Sequence, residues 1–235
     1  MPFGLRINLL NESRFSCSKP RLTRHQMAAR LAKEFQNGWV VNLGIGIPTL
    51  CSNYSYGDHD VIFQSENGVI GYGPLLPEGR EDIHLVNAGG QYVSLLPGAS
   101  VMHHADSFAL IRGGHIDAAV LGSYEVSENG DFANWKLLGR KGGGIGGAMD
   151  LAAGAQRVFI VMQHTTRDGK PRLVKHLTLP PTALGVVTLV MTDLGLFEVS
   201  TSGFVLREIA PGYDPKEIQA LTEAHLLVSN DLRRV

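Results

Sequence analysis

The sequence predicts an α/β fold in which helices flank an open, mostly parallel sheet that carries antiparallel additions. Three observations favour this class. Short β-branched and apolar runs alternate with amphipathic segments, several runs end in glycine-bearing loops, and a tight turn near residue 202 joins two late strands in a hairpin. No internal repeat or linker interrupts the pattern. We therefore predict one domain over residues 23–235, preceded by an N-terminal extension at residues 1–22.

The first predicted elements are a helix, a strand and a glycine loop. Thr23 and Gln26 have the spacing of a capping box, so a helix is expected from residue 24 to about residue 36. A buried strand at residues 39–43 then leads into a loop with Gly44 and Gly46, where Pro48 permits a new helix to start. The exposed amides of such a loop suit a phosphate or carboxylate. An ordinary strand-to-helix turn explains the spacing equally well.

Glu66 stands where the next buried strand, which follows residues 59–60 and contains the apolar residues 61–63, breaks into a turn. Asn67 and Gly68 follow it, and both tolerate the positive φ that tight turns demand. Ligands of open α/β sheets bind beyond the carboxyl ends of the strands, which is where this carboxylate should lie. A charge held there loses part of its hydration, which costs free energy, so its presence favours a functional role. From spacing alone, a solvated strand-end glutamate is the more common explanation.

The rest of the chain continues the alternation of strands and helices. Asp214 and Pro215 supply the cap and first residue of a final helix. The other segments are a strand end at residues 85–90, helices at 105–112 and from 148, and strands at 116–124, 157–163, 173–179, 186–192, 197–200 and 204–209.

The composition excludes several classes of function. The net charge is −1, from 21 basic and 22 acidic residues, so neither nucleic acid nor a membrane surface is an expected partner. Charged residues make up 18% of the chain, which suggests that another subunit covers part of the surface. Two cysteines, Cys17 and Cys51, provide neither a disulfide framework nor a zinc site, and we predict no metal. A reducing cytoplasm fits this usage.

The apolar runs and the N-terminus indicate neither a membrane-spanning protein nor a secreted one. The longest apolar runs, at residues 158–162 and 185–191, are too short to cross a bilayer. Residues 1–20 lack the continuous apolar core of a secretory signal and weakly resemble a transit peptide. We interpret them as a frayed or vector-derived extension.

The densest glycine cluster offers two interpretations. Gly142, Gly144 and Gly147 match the dinucleotide fingerprint, with Asp168 at about the expected distance. The basic segment before them makes a poor buried strand, however, and the helix after them is short. A nest of backbone amides for an oxygen anion requires the same glycines and fewer other conditions. Elsewhere, His103 and its neighbour are candidates for binding a substrate carboxylate, although surface histidines are more common.

Four stretches in this order resemble the β subunit of the class I coenzyme A transferases, the 3-oxoacid and 3-oxoadipate group. The resemblance extends from about residue 24 to residue 226. The stretches are residues 42–49 (NLGIGIPT), 65–68 (SENG) with Gly71, Gly73 and Pro74, 107–115 (SFALIRGGH), and 133–135 (ANW) with 146–150 (GGAMD).

The resemblance implies both a fold and a set of site residues. The fold is an open α/β sheet of the type also found in ribose-5-phosphate isomerase. Glu66 maps onto the covalent nucleophile and Gly147 onto the oxyanion amide donor, while Gly44, Gly46, Asn134 and Gly146 map onto coenzyme A contacts. No cofactor is permanently bound, because coenzyme A is substrate and covalent intermediate. The family's α half is missing from this chain, so an α subunit is the expected partner in a hetero-oligomer such as α2β2.

The implied activity is transfer of coenzyme A from an acyl-CoA such as succinyl-CoA to a 3-oxo acid, by ping-pong catalysis through a glutamyl-CoA thioester. Acetoacetate, 3-oxoadipate and short fatty acids stay open as acceptors. Two other hypotheses also stay open. One is an acyl-CoA hydrolase of the same fold, and the other is a non-catalytic module that binds a phosphorylated metabolite through its glycine loops.

Overall fold

The computed structural model describes residues 19–54, 60–139 and 143–235. It contains four α-helices, a 3₁₀ helix and thirteen strands within those residues. The helices are α1 (Arg24–Ala32), α2 (His104–Arg112), α3 (Ala148–Gly154) and α4 (Pro215–Ala220), and the 3₁₀ helix is Pro48–Asn53. The strands are β1 (Val40–Leu43), β2 (Ile62–Ser65), β3 (Val69–Leu75), β4 (Val93–Val101), β5 (Ala118–Leu121), β6 (Glu125–Ser127), β7 (Phe132–Ala133), β8 (Val158–Met162), β9 (Leu173–Val174), β10 (Val187–Thr192), β11 (Gly195–Ser200), β12 (Gly203–Ile209) and β13 (Leu226–Arg234).

Ten of the strands form one sheet in the order β13-β12-β11-β10-β8-β5-β1-β2-β3-β4. Its centre, from β10 to β2, is entirely parallel. Antiparallel strands extend it on both sides, as β11 and β12 on one and β3 and β4 on the other. The predicted fold class, a mostly parallel sheet with helices and antiparallel additions, is confirmed. A second sheet of three short strands, β7-β6-β9, lies apart.

Two apolar clusters cover the two faces of the large sheet. Strand β8 is buried along its whole length because its residues alternate between them: Phe159 and Val161 join one cluster, and Val158 and Ile160 join the other. Helix α1 packs on the first face, and α2 and α3 pack on the second. Alternating burial on both faces leaves the strand ends as the places where polar chemistry can be presented.

The predicted caps and hairpin are confirmed. Thr23 and Gln26 make a reciprocal capping box at α1, and Asp214 caps α4 in the same way. Strands β11 and β12 pair antiparallel across residues 201–202. The described chain begins at Lys19, and Leu22 is already buried in the core, with its amide bonded to the carbonyl of Asp193. The boundary between extension and domain at residue 22 stays a prediction, and the interpretation of residues 1–18 lies outside the described residues.

Several predicted boundaries are wrong. Helix α1 ends at Ala32 rather than near residue 36, because the amides of Glu34 and Phe35 bond to carbonyls three residues back and turn Phe35 into the core. The predicted strand end at residues 85–90 is a single bridge between Val86 and Tyr92. Only Leu173–Val174 of the predicted strand 173–179 forms.

Five strands were not predicted: the short β6 and β7 of the small sheet, and β3, β4 and β13 of the large sheet. β3 and β4 contain glycine and proline, which are uncommon in strands, and β4 is the exposed edge of the sheet. β13 occupies the other edge with a largely polar sequence. Edge strands need less apolar sequence than central ones, so the hydrophobic pattern does not reveal them.

Candidate active site

The carboxyl ends of the parallel strands meet at one edge of the sheet. There the loops that follow β1, β2, β5 and β8 surround a cavity of about 640 Å³. Residues from the glycine-rich segment before α3 close another side of it. The acid that lines this cavity is Glu66, and its basic lining residues are Arg24 and Arg172. The placement agrees with the position expected for ligands of open α/β sheets.

Glu66 directly follows β2 and is half-buried. The turn that holds it requires glycine at position 68, where φ is +118° and a Cβ atom would collide with the carbonyl oxygen of Met102. Asn67 does not adopt the positive φ that we expected, since among the described residues only glycines do. Its side chain instead donates a 2.7 Å hydrogen bond to the carbonyl of Val86. One glycine therefore suffices to make the bend.

A chain of buried amides and a hydroxyl lies behind Glu66. Asn42 is fully buried, and its Nδ2 donates to Oε1 of Gln64 at 2.7 Å and to Oε2 of Glu66 at 3.3 Å. Gln64 in turn donates to Oγ of Ser107 at 2.6 Å, and that hydroxyl donates to the carbonyl of Ser65 at 3.2 Å. The chain orients one carboxylate oxygen of Glu66, Oε2, and the residue itself lines the cavity.

Sequence reasoning assigned no role to Asn42, Gln64 or Ser107. A signal was available, because Asn42 interrupts an apolar strand and Gln64 directly follows an apolar run, and a buried polar residue is more informative than a buried apolar one. Their contact depends on the parallel register that sets Asn42 beside Gln64.

Gly147 lies next to Glu66, although the two are far apart in the chain. A Cβ atom at Gly147 would stand 3.6 Å from Oε1 of Glu66 and 3.3 Å from Cζ of Phe108. Gly147 is the N-cap of α3 and has ordinary helical dihedrals, φ −62° and ψ −12°. Its hydrogen atom in place of a side chain is thus what keeps the space beside the carboxylate open.

The other predicted site residues divide into those on the cavity wall and one that is not. Gly44, Asn134 and Gly146 line the cavity. Gly44 packs tightly on β5, and the Asn134 side chain is held by bonds to Gly122 and Thr182. Gly46 lies in the same loop without lining the cavity, and its carbonyl accepts a bond from Thr49. Their roles in binding stay predictions.

The histidine hypothesis fails on position. His103 caps α2, with its Nδ1 accepting the amide of Ala105 at 3.1 Å, and the ring of His104 contacts that of Phe108. Neither histidine lines the cavity. The cavity's two arginines, Arg24 and Arg172, were not singled out from the sequence.

The dinucleotide interpretation also finds no support in the described residues. The last strand before the glycine cluster is the two-residue β7, and α3 has seven residues, so the strand, loop and crossover helix of that fingerprint do not occur together. Asp168 is exposed and pairs with Lys170, away from the cavity. Gly142 lies outside the described residues.

Three further features bear on the chemistry open to the chain: the buried cysteine, possible metal sites and possible membrane-spanning helices. Burial raises the pKa of Cys51 to about 12, so its thiol is protonated at neutral pH and is not a nucleophile. No group of three or more His, Cys, Asp or Glu side chains within residues 19–54, 60–139 and 143–235 could hold a metal ion. Over the same residues, no helix has the length and apolar character needed to span a membrane.

Comparison with known proteins agrees with this geometry. A family model described as Coenzyme A transferase matches residues 24–221. The chain is 47% identical over 209 residues to the β subunit of 3-oxoadipate CoA-transferase from Pseudomonas putida, covering 88% of this chain and 97% of that protein. It is 45% identical over 205 residues to the β subunit of succinyl-CoA:3-ketoacid coenzyme A transferase from Helicobacter pylori, covering 87% and 99%.

The fold has a solved counterpart. The crystal structure of an acyl-CoA transferase apoenzyme from Escherichia coli O157:H7 superposes with a TM-score of 0.72 at 22% identity, over 92% of this chain and 44% of that longer chain. With a family match over most of the sequence, close relatives named as the second subunit of such enzymes and a shared fold, the chain belongs to the coenzyme A transferase family, as a β subunit.

Proposed function

We propose that this chain, joined to an α subunit, transfers coenzyme A from succinyl-CoA to a 3-oxo acid through a glutamyl-CoA thioester on Glu66. The observation that carries the proposal is the position of Glu66. Its carboxylate lies on the wall of a cavity of about 640 Å³, oriented by Asn42 on one side and beside Gly147 on the other.

The first half-reaction has two steps. A carboxylate oxygen of Glu66 attacks the thioester carbonyl carbon, a C–O bond forms, the C–S bond breaks, and coenzyme A leaves as thiolate. The thiolate then attacks the glutamyl carbonyl of the mixed anhydride, a new C–S bond forms, the bond from that carbon to the bridging oxygen breaks, and the donor acid leaves as carboxylate. The acceptor acid repeats both steps in reverse order, so the kinetics are ping-pong.

The surroundings of Glu66 suit these steps. An ionised carboxylate is needed for attack, and an amide donor from Asn42 faces it in place of an apolar wall. Negative charge develops on the carbonyl oxygen during each attack, and the amide of Gly147 is the donor that we assign to it. A single preorganised donor of this kind stabilises a transition state by about 3 kcal/mol. Binding energy from the nucleotide and pantetheine parts of coenzyme A supplies further acceleration.

The relatives' names support the choice of substrates. Both relatives are named for CoA transfer involving a 3-oxo acid, 3-oxoadipate in one and a 3-ketoacid with succinyl-CoA in the other. We propose the same class of acceptor here. Coenzyme A is then a substrate and covalent intermediate, and no cofactor is permanently bound.

The names of these relatives, each one subunit of a larger enzyme, also support an α subunit as partner. We propose a cytoplasmic hetero-oligomer, for example one of two α and two β subunits, with the cavity at the junction of an α and a β subunit. The exposed side chains of Ile45 and Ile145 near the cavity are available for that contact.

Borohydride trapping tests the proposal. The complex is incubated with succinyl-CoA without acceptor and then treated with borohydride, which reduces the thioester. We expect activity to be lost only when succinyl-CoA is present, with the reduced side chain at position 66. A Glu66→Gln complex provides the matched control, since it should neither turn over nor be modified.

The other hypotheses give different results in the same experiment. Steady release of free coenzyme A by the wild-type complex without acceptor would indicate a hydrolase. Saturable ligand binding without exchange or trapping would indicate a binding module. Full turnover by Glu66→Ala would end the proposal.

A further inference from the structure

Arg172 is the least satisfied charged group on the cavity wall. Its backbone is fixed, because its amide donates to the carbonyl of His164 and its carbonyl accepts the amide of Val126. The guanidinium, by contrast, has neither a hydrogen bond nor an ion pair with any side chain of the described residues. Its Nε is buried and without a partner, while the side chain as a whole lines the cavity.

A buried guanidinium nitrogen without a hydrogen-bond partner costs free energy. Burial lowers the pKa of Arg172 below its ordinary value, with the charge of Asp193 as the largest opposing effect. A guanidinium nevertheless stays protonated in proteins, so the positive charge persists without a direct ion-pair partner among the described residues. Such a group is expected to be paired in the working protein.

The nearest acid is already occupied. Asp193 accepts a hydrogen bond from Nη1 of Arg21 at 3.2 Å through one carboxylate oxygen, and from the amide of His164 at 2.7 Å through the other. Tyr124 is the other group that acts electrostatically on Arg172, and no hydrogen bond joins the two side chains. An anion for Arg172 must therefore come from outside the described chain.

The sheet places Arg172 well away from Glu66. Arg172 is bonded to the segment that follows β8, and Glu66 follows β2. Three strand spacings separate β8 from β2, which is about 14 Å between the strand ends. Glu66 makes no ion pair with Arg172 across that spacing, whereas a substrate that extends along the cavity from Glu66 can contact both. Arg24, on the same wall, adds positive charge to the cavity.

We propose that Arg172 binds an anionic oxygen group of the acyl-CoA substrate and is a specificity determinant of the reaction. The group is either the distal carboxylate of a dicarboxylic acyl chain or a phosphate of coenzyme A, and both match the planar fork of a guanidinium. This inference rests on the proposed function, because it takes the cavity beside Glu66 as the site of the acyl-CoA.

The test compares three thioester donors with the assembled complex. Succinyl-CoA carries both the carboxylate and the phosphates, acetoacetyl-CoA carries only the phosphates, and succinyl-pantetheine carries only the carboxylate. The variants are Arg172→Gln, which removes the charge, and Arg172→Lys, which keeps the charge without the fork. Arg157→Gln is the matched control, since Arg157 packs over Trp39 at the start of β8, away from the cavity.

We expect Arg172→Gln to lower kcat/KM by about 10- to 100-fold for donors that carry the recognised group, and Arg172→Lys to restore part of it. A fall with both succinyl donors and not with acetoacetyl-CoA assigns the carboxylate. A fall with both CoA thioesters and not with succinyl-pantetheine assigns a phosphate. Arg157→Gln should match the wild type with all three.

Three results would overturn the inference. An unchanged kcat/KM would show that Arg172 meets no substrate anion. An equal fall with all three donors, or loss of the complex in size-exclusion chromatography, would show that Arg172 supports the fold or pairs with the α subunit. If the wild-type complex transferred coenzyme A but trapped no thioester at Glu66, the proposed function would fail first, separately from any effect of Arg172.

Discussion

Replacement of Gly147 by alanine adds one methyl group beside the proposed nucleophile. Gly147 has φ −62° and ψ −12°, so alanine is compatible with its backbone. The new methyl carbon would lie 3.3 Å from Cζ of Phe108 and 3.6 Å from both Cγ and Oε1 of Glu66. The contact with Phe108 requires a shift of a few tenths of an ångström, and the contacts with Glu66 are ordinary van der Waals contacts.

The magnitudes differ for stability and for catalysis. We expect the free energy of unfolding to fall by about 1 kcal/mol, as for mild overpacking. The thioester carbonyl carbon must approach the oxygen of Glu66 to about 3–3.5 Å, in the space that the methyl occupies. Displacement of the acyl group by about 1 Å costs about 100-fold, so kcat/KM should fall by that factor although the amide of residue 147 is retained.

The assay is CoA transfer by the assembled complex, with urea unfolding of the same preparations. A double variant, Gly147→Ala with Phe108→Leu, removes the tight ring contact and should stay impaired if the methyl blocks Glu66. Recovery of activity in the double variant would show that Phe108 crowding is responsible. A kcat/KM within about twofold of wild type for Gly147→Ala would refute the assignment of this space to the reacting acyl group.

Three further predictions concern groups around the site and in the core. Asn42→Ala should lower kcat at least about tenfold with a smaller change in KM, because Glu66 loses the donor that orients it. An unchanged kcat in a variant that circular dichroism shows to be folded would contradict this role of Asn42. Burial, and secondly the charge of Arg21, lower the pKa of His164 to about 3, so between about pH 3 and 6.5 the unfolded chain binds a proton that the folded chain does not. The free energy of unfolding should therefore fall by about 1.4 kcal/mol per pH unit as the pH drops through that window. Urea unfolding at pH 7 and pH 5 should show the loss. The same loss in His164→Gln would refute the assignment of the pH dependence to His164. Arg30→Met alone should cost about 3–5 kcal/mol of unfolding free energy, because it leaves the buried Glu208 carboxylate without its charged partner. The double variant with Glu208→Leu should cost much less. Equal costs for the two variants would contradict the pairing.

The sequence predicted the centre of the sheet better than its edges. The strand β8 is an unbroken apolar run, and the caps at Thr23 and Asp214 are local signals that need no tertiary information. β3, β4 and β13 form because neighbouring strands offer them hydrogen-bond partners, and their glycines, prolines and polar residues conceal this from a pattern search. Their formation is decided by tertiary pairing rather than by intrinsic propensity.

The site was predictable only in part for the same reason. Resemblance identified Glu66 and Gly147, and the fold brings them together. The hydrogen bond from Asn42 to Glu66 depends on the parallel alignment of β1 and β2, which the sequence does not specify residue by residue. Arg172 reaches the cavity from a segment after β8 that carries no recognisable motif, and its lack of a partner is a property of the folded surroundings.

The most direct measurement is the mass of the peptide that contains residue 66, taken from the complex after incubation with succinyl-CoA and rapid acid quenching. We expect that peptide to carry coenzyme A with loss of one water, and to lose the adduct when acetoacetate or 3-oxoadipate is added before quenching. An unmodified peptide in a complex that turns over, or an adduct on another residue, would contradict the role of Glu66.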